Sequence, residues 1–214
     1  NGSKLIVDND LTITRGILQM NTAHELEVGG DVEIDDGSDV AELRMGSAST
    51  ASSHPATFGS LTMGNDGTYS ATSGTTKITD EATDGVCLRS NGTFTHNGGL
   101  VSIETADHTT LVWSSASQRF NNLTVNLGAS ARVCTLSGQF DSHRYVEGDF
   151  IVTNCKFDTN NALTFRIDGD VSLTSSATLT CGTSTCSFGS LEIASGTTLS
   201  ASSGTTTITG KESG

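Results

Sequence analysis

Asp10-Leu11-Thr12-Ile13-Thr14 and Asp149-Phe150-Ile151-Val152-Thr153 are two copies of one pattern, and the likeness between them runs on without a gap. Asn21 meets Asn160, Ala23 meets Ala162, and Leu26-Glu27-Val28 meets Phe165-Arg166-Ile167. Gly30-Asp31-Val32-Glu33-Ile34 then meets Gly169-Asp170-Val171-Ser172-Leu173. After an insertion in the first copy, around Ser47 to His54, Phe58-Gly59-Ser60-Leu61-Thr62-Met63 matches Phe188-Gly189-Ser190-Leu191-Glu192-Ile193. Ser73-Gly74-Thr75-Thr76-Lys77-Ile78-Thr79 matches Ser203-Gly204-Thr205-Thr206-Thr207-Ile208-Thr209. Self-similarity of this kind marks a repeat architecture, in which a unit too thin to bury its own apolar face stacks on its neighbours. The copies cover roughly residues 5–84 and 144–214 and are joined by 85–143, so residues 1–214 read as one solenoid.

A finer period lies inside each copy. Leu11 to Val32 and Phe150 to Val171 are each ~21 residues apart and Val171 to Leu191 ~20, both within the range of solenoid coils. Leu123 begins the same column one longer coil earlier than Phe150. The apolar runs are short and alternate, as in Leu11-Thr12-Ile13, Val32-Glu33-Ile34, Val101-Ser102-Ile103 and Val171-Ser172-Leu173. Alternation with period two sends the aliphatic members to one face and Thr, Ser or Glu to the other. Gly, Asn and Asp punctuate the runs, at Asp8-Asn9-Asp10, Gly29-Gly30-Asp31, Gly64-Asn65-Asp66-Gly67 and Asn97-Gly98-Gly99, where tight corners need them. The pattern predicts an all-β fold, a parallel β-helix or β-solenoid of short coils. It implies about 20 residues and three strands per coil, some ten coils, and a rod about 50 Å long. An antiparallel sandwich also uses short alternating strands but has no need of such a recurrence.

Composition agrees with a narrow core. Apolar residues make up 34% of the chain but aromatics only 5%, so small and branched side chains must fill the interior. Ser/Gly richness alone would suit disorder, yet a disordered tail has no reason to keep alternating aliphatic runs. The 24 acidic and 11 basic residues give a net charge of −13, which argues against nucleic-acid phosphates and against anionic lipid as partners. No stretch approaches the ~20 apolar residues of a membrane span, and the first residues do not read as a signal peptide.

No residue is assigned a catalytic, cofactor-binding or metal-binding role, and the chain does not read as an enzyme. His24, His54, His96, His108 and His143 are scattered, with no HExxH pattern, no Gly-x-Ser-x-Gly elbow and no phosphate loop. Glu33, Asp35, Asp36 and Asp39 form an acidic loop that the second copy lacks; it reads as solvated, with a calcium site as the alternative and a catalytic pair the remotest reading. The five cysteines match no zinc spacing and read as buried thiols; Cys134/Cys155 and Cys181/Cys186 are the pairs a disulfide would join. Trp113 reads as core rather than as a sugar platform. Outward positions vary among Thr12, Glu33, Thr62, Ser172 and Glu192, too irregular for a flat Thr ladder.

The Phe-x-x-Leu-x-Val/Ile strands, the Ser-Gly-Thr-Thr-x-Ile-Thr turns and Gly92-Thr93-Phe94-Thr95-His96-Asn97-Gly98-Gly99 resemble the tandem repeats of very large structural proteins encoded by uncultured marine phages and bacteria. That resemblance covers nearly the whole chain. It implies a structural, non-catalytic segment of an extracellular fibre or virion appendage, and it brings no site residues. The expected partners are other copies, end to end or laterally, as a trimer or filament. The alternatives are a cell-surface adhesin shaft with a glycan partner and a carbohydrate-active β-helix. With no capping helix in sight, the chain is expected either to belong to a longer array or to stack its open ends on neighbours.

Overall fold

The computed structural model describes residues 3–35, 40–113, 119–137, 144–161 and 164–210. Over these residues the chain is all β, wound into a parallel solenoid of about eight turns with roughly 23 residues per turn. Each turn carries strands on up to three faces. The first three turns show the plan: Lys4–Val7, Glu25–Val28 and Ala56–Phe58 on the first face, Leu11–Ile13, Val32–Ile34 and Leu61–Met63 on the second, and Gly16–Met20, Ala41–Met45 and Gly67–Ser70 on the third.

Stacking is in register, so like positions form columns along the axis. On the first face Leu5, Leu26, Ala56, Thr76, Val101, Leu123, Phe150, Val171 and Leu191 lie one above the next. On the second, Leu11, Val32, Leu61, Leu88, Leu111 and Leu136 do the same. The ~20-residue recurrence is therefore real but underestimates the turn, and eight turns at ~4.8 Å give a stack of about 40 Å rather than 50. The extra residues sit at corners. Residues 79–85, 104–108 and 127–132 enlarge the first-to-second corner in three successive turns. The Ser47 to His54 segment enlarges a third-to-first corner, where Gly46 and Ala51 form an antiparallel bridge.

The two sequence copies are not superposed by translation along the axis. Leu11 and Phe150 are equivalent in sequence, yet Leu11 stands on the second face and Phe150 on the first. The linking turns account for this. Strand Thr109–Trp113 occupies the second face and Asn122–Asn126 the first, and Phe120 between them bridges Val146 on the third. The second copy thus enters one face out of phase, and its pattern is carried around the axis by about a third of a turn. In this half, strands Thr164–Thr174 and Thr185–Ile193 run on through the third-to-first corner, with a register shift between Ile167 and Asp170.

The interior is one apolar cluster from Ile13 to Phe188. Its rings form two runs. Phe58, Tyr69, Phe94, Trp113 and Phe120 touch in sequence, with the Trp113 and Phe120 centroids 4.2 Å apart, and Phe150, Phe157 and Phe165 form a second group. Trp113 is core, as its sequence context implies. Thr76 is the one polar member of the first-face column, and the Tyr69 hydroxyl meets its Oγ1 at 2.8 Å. At the ends of the stack the inward columns come to the surface: Leu5 is 40% exposed, Ile193 47% and Ile208 51%.

Candidate functional site

The most developed polar surface lies along the corner where the second copy's phase shift puts Gly148-Asp149, Gly169-Asp170 and Gly189-Ser190 in line. Backbones pack here without room for a side-chain carbon. A Cβ on Gly169 would press into the Gly148 carbonyl and lie 2.7 Å from Asp149 Oδ1, and one on Gly189 would lie 2.6 Å from Gly169 O. The acids after Gly148 and Gly169 then reach along the axis. Asn122 Oδ1 accepts the Asp149 N–H at 2.8 Å, Asp149 Oδ1 accepts the Asp170 N–H at 3.0 Å, and Asp170 Oδ1 accepts the Ser190 hydroxyl at 2.7 Å. The first copy repeats the device atom for atom at its own first-to-second corner: Asp10 Oδ1 takes the Asp31 N–H and Asp31 Oδ1 the Ser60 hydroxyl.

Beside this ladder a groove of about 750 Å³ is lined by Glu147, Asp149, Thr164, Arg166, Asp168 and Ser187. Its charges are tied in place. Arg166 Nε donates to Asp168 Oδ1 at 2.7 Å. Glu147 receives Arg119 Nη1 at 3.0 Å and lies 3.3 Å from His96 Nε2, joining three successive turns. His96 Nδ1 accepts the Gly98 N–H at 2.9 Å, so the neutral ring carries its proton on Nε2, facing Glu147. The groove offers donors and acceptors at the spacing of the turns.

Of the described residues singled out in the sequence, His96 reaches this corner through Glu147, and the others do not gather here. Glu33 and Asp35 are exposed on another part of the stack, and the Asp35 carboxylate lies against Gly64 of the next turn; Asp36, Asp39 and His143 lie outside the described residues. Among the described residues no three His, Cys, Asp or Glu side chains converge as metal ligands would. His24 Nδ1 pairs with the Ser3 carbonyl and His108 Nδ1 accepts the Val133 N–H, both as links between turns.

All five cysteines are buried free thiols. Cys134 and Cys155 are not one above the other: the register sets Cys134 against Phe157, and the Cys155 thiol donates to the Val125 carbonyl. A turn longer than the period assumed for that pairing accounts for the offset. Burial pushes Cys87 up to about 12, and burial beside Cys87 and Cys155 holds Cys134 well above an ordinary thiol. Sequence reading missed the Gly-Asp ladder as a device, although the recurring Gly30-Asp31, Gly148-Asp149 and Gly169-Asp170 pairs were its signal.

No family model, curated protein or solved structure matches the chain.

Proposed function

We propose that the chain is a structural, non-catalytic solenoid segment of an extracellular fibre or virion appendage, built from a repeat like those of very large phage and bacterial structural proteins. The observation that carries this reading is the first-face column from Leu5 to Leu191, which holds register through every turn. Backbone ladders, inward columns and the Asp ladders all act along the axis, so the sequence is invested in longitudinal continuity. Leu5, Ile193 and Ile208 are inward-column residues left partly exposed on the first and last described turns, and the partner proposed for that surface is a further coil, of the same chain or of another copy. Cryo-electron microscopy of the purified chain across a range of concentrations tests this. Filaments with a ~4.8 Å axial repeat are expected, and monodisperse particles at every concentration would overturn the association.

The groove beside Arg166 favours one second reading, an adhesin shaft that binds surface glycan. A glycan array probed with the wild-type chain and with Arg166→Ala decides it: a hit lost in the variant supports binding at the groove, and a blank array removes this reading.

A further inference from the structure

We propose that Asn91 is an acceptor for an N-linked sugar, and that the fold withholds the same chemistry from Asn122. The sequence matches the Asn-x-Ser/Thr acceptor pattern at Asn1-Gly2-Ser3, Asn91-Gly92-Thr93 and Asn122-Leu123-Thr124. Asn1 and Gly2 lie outside the described residues. The other two matches are equivalent as motifs, but their places in the solenoid are not alike.

Asn91 stands at a second-to-third corner, between strands Val86–Ser90 and Thr93–Thr95. The backbone holds this corner. Asn91 N–H donates to the Met63 carbonyl at 3.0 Å. Gly92 is packed so closely on the preceding turn that a Cβ there would lie 2.1 Å from Gly67 O and 2.2 Å from Gly64 O. Thr93 then enters the third face in register with Thr68, and Phe94 after it is buried in the core. With the glycine turned inward, the residues on either side of it are both exposed. The carboxamide that takes the sugar and the hydroxyl that a transferase reads two residues on therefore share the outer surface of one corner. A sugar is bulky and hydrated, so this is the setting the modification needs.

Asn122 meets the opposite condition. It is the first residue of strand Asn122–Asn126 and is half-buried. Its Oδ1 accepts the Asp149 N–H at 2.8 Å, at the foot of the Gly-Asp ladder, and lies 2.2 Å from where a Cβ on Gly148 would stand. The carboxamide is thus held against the next turn. A sugar on its Nδ2 requires the side chain to turn out, which takes the acceptor away from the Asp149 N–H.

The reaction is transfer from a sugar activated as its diphosphate. Asn91 Nδ2 attacks the anomeric carbon and the C–N bond forms. The bond from that carbon to the donor's phosphate oxygen breaks, and the diphosphate leaves with the electron pair. The proton lost by Nδ2 passes to a base of the transferase. The inference rests on the two acceptor positions alone and not on the fibre or glycan-binding readings.

The folded chain is incubated with a soluble N-glycosyltransferase that recognises Asn-x-Ser/Thr and with a nucleoside-diphosphate glucose, then digested and mapped by mass spectrometry. A digest of the same chain made beforehand with a glutamate-specific protease, which frees residues 82–104 and 105–147, is treated alongside. The expected result is one hexose on Asn91 and none on Asn122 in the folded chain, and hexose on both in the digest. Thr93→Val keeps the shape of an exposed side chain and removes the hydroxyl. It is expected to melt with the wild type and to lose the Asn91 product in both arms. Hexose on Asn122 of the folded chain, no hexose on Asn91 of the folded chain, a digest in which Asn122 stays bare, or a Thr93→Val chain that still gains hexose each overturns the proposal.

Discussion

Asp149 Oδ1 accepts the backbone N–H of Asp170 one turn further along the axis, at 3.0 Å. This bond satisfies a donor at a corner where the sheet ladder is interrupted by the register shift between Ile167 and Asp170. It is the solenoid's counterpart of a helix cap, since a short side chain supplies the acceptor that backbone geometry withholds. Asp149→Ala is expected to cost about 1–2 kcal/mol in chemical denaturation. Asp149→Asn is expected to keep most of the stability, because Asn122 already performs the same task for the Asp149 N–H at 2.8 Å. Equal losses in the two variants would show that the carboxylate charge, and not the acceptor, matters.

Gly169 and Gly98 separate two reasons for glycine. Gly169 lacks positive φ but stands against the Gly148 carbonyl and Asp149 Oδ1, whereas Gly98 has φ 78° and open space, with nothing within 4 Å of where a Cβ would stand. Gly98→Ala is therefore expected to show only the left-handed strain of about 1 kcal/mol. Gly169→Ala must push two backbones apart and is expected to lose several times as much, about 3 kcal/mol or more. Thermal unfolding of the pair, side by side, measures the difference.

The Tyr69 hydroxyl and Thr76 Oγ1, 2.8 Å apart and buried, are the polar seam in an otherwise apolar column. Burial raises the Tyr69 phenol, against the smaller opposing effect of this bond, so the ring stays neutral well into the alkaline range. Tyr69→Phe leaves Thr76 without its partner and is expected to cost about 1–2 kcal/mol. Thr76→Val alone does the same to Tyr69. The double variant removes both polar groups and is expected to recover part of the loss, which a double-mutant cycle reads as a coupling of about 1 kcal/mol.

Much of this architecture was legible in the sequence, and the reason is physical. A solenoid rung is local: Leu11-Thr12-Ile13 and Val32-Glu33-Ile34 need only alternate and recur for their stacking to follow. What the recurrence does not encode is the count of strands in the linking turns. Phe120 and its neighbours contribute a rung whose pattern is too short to read, and this rung decides that Phe150 stacks on Leu123 in the first face while its sequence equivalent Leu11 lies in the second. Side-chain pairs across turns were legible only where a motif recurred. The Asp ladder recurs with Gly-Asp and had a signal, whereas His96 and Glu147 meet through loops of unequal length and had none.

Glu81 gives the clearest pH dependence. It lies on the enlarged first-to-second corner with Oε2 buried and without a hydrogen-bond partner. Burial raises its carboxyl above the usual range, and the charges of Asp80 and Asp107 raise it further. A group whose folded pKa is raised binds its proton more tightly in the native state. Its contribution is therefore fully present below the unfolded carboxylate pKa and is lost as pH rises through the folded one. At neutral pH the ionised Glu81 is a net cost. Glu81→Gln, which removes the charge and places an amide donor beside two carboxylates, is expected to stabilise the chain by about 1 kcal/mol at pH 7. The advantage should shrink as pH falls through the raised Glu81 pKa and be gone below about pH 4, where the wild-type carboxyl is protonated in both states. Glu104 acts as the internal contrast: burial alone would raise it, but hydrogen bonds from Lys77 and Ser102 outweigh burial and lower it. Glu104→Gln should accordingly destabilise at pH 7, and its deficit should fade as pH falls through the lowered Glu104 pKa. Urea denaturation of the wild type and both variants from pH 3.5 to 8 checks the two signs together, and a Glu81→Gln gain that persists unchanged to the acid end would assign the effect to packing instead of charge.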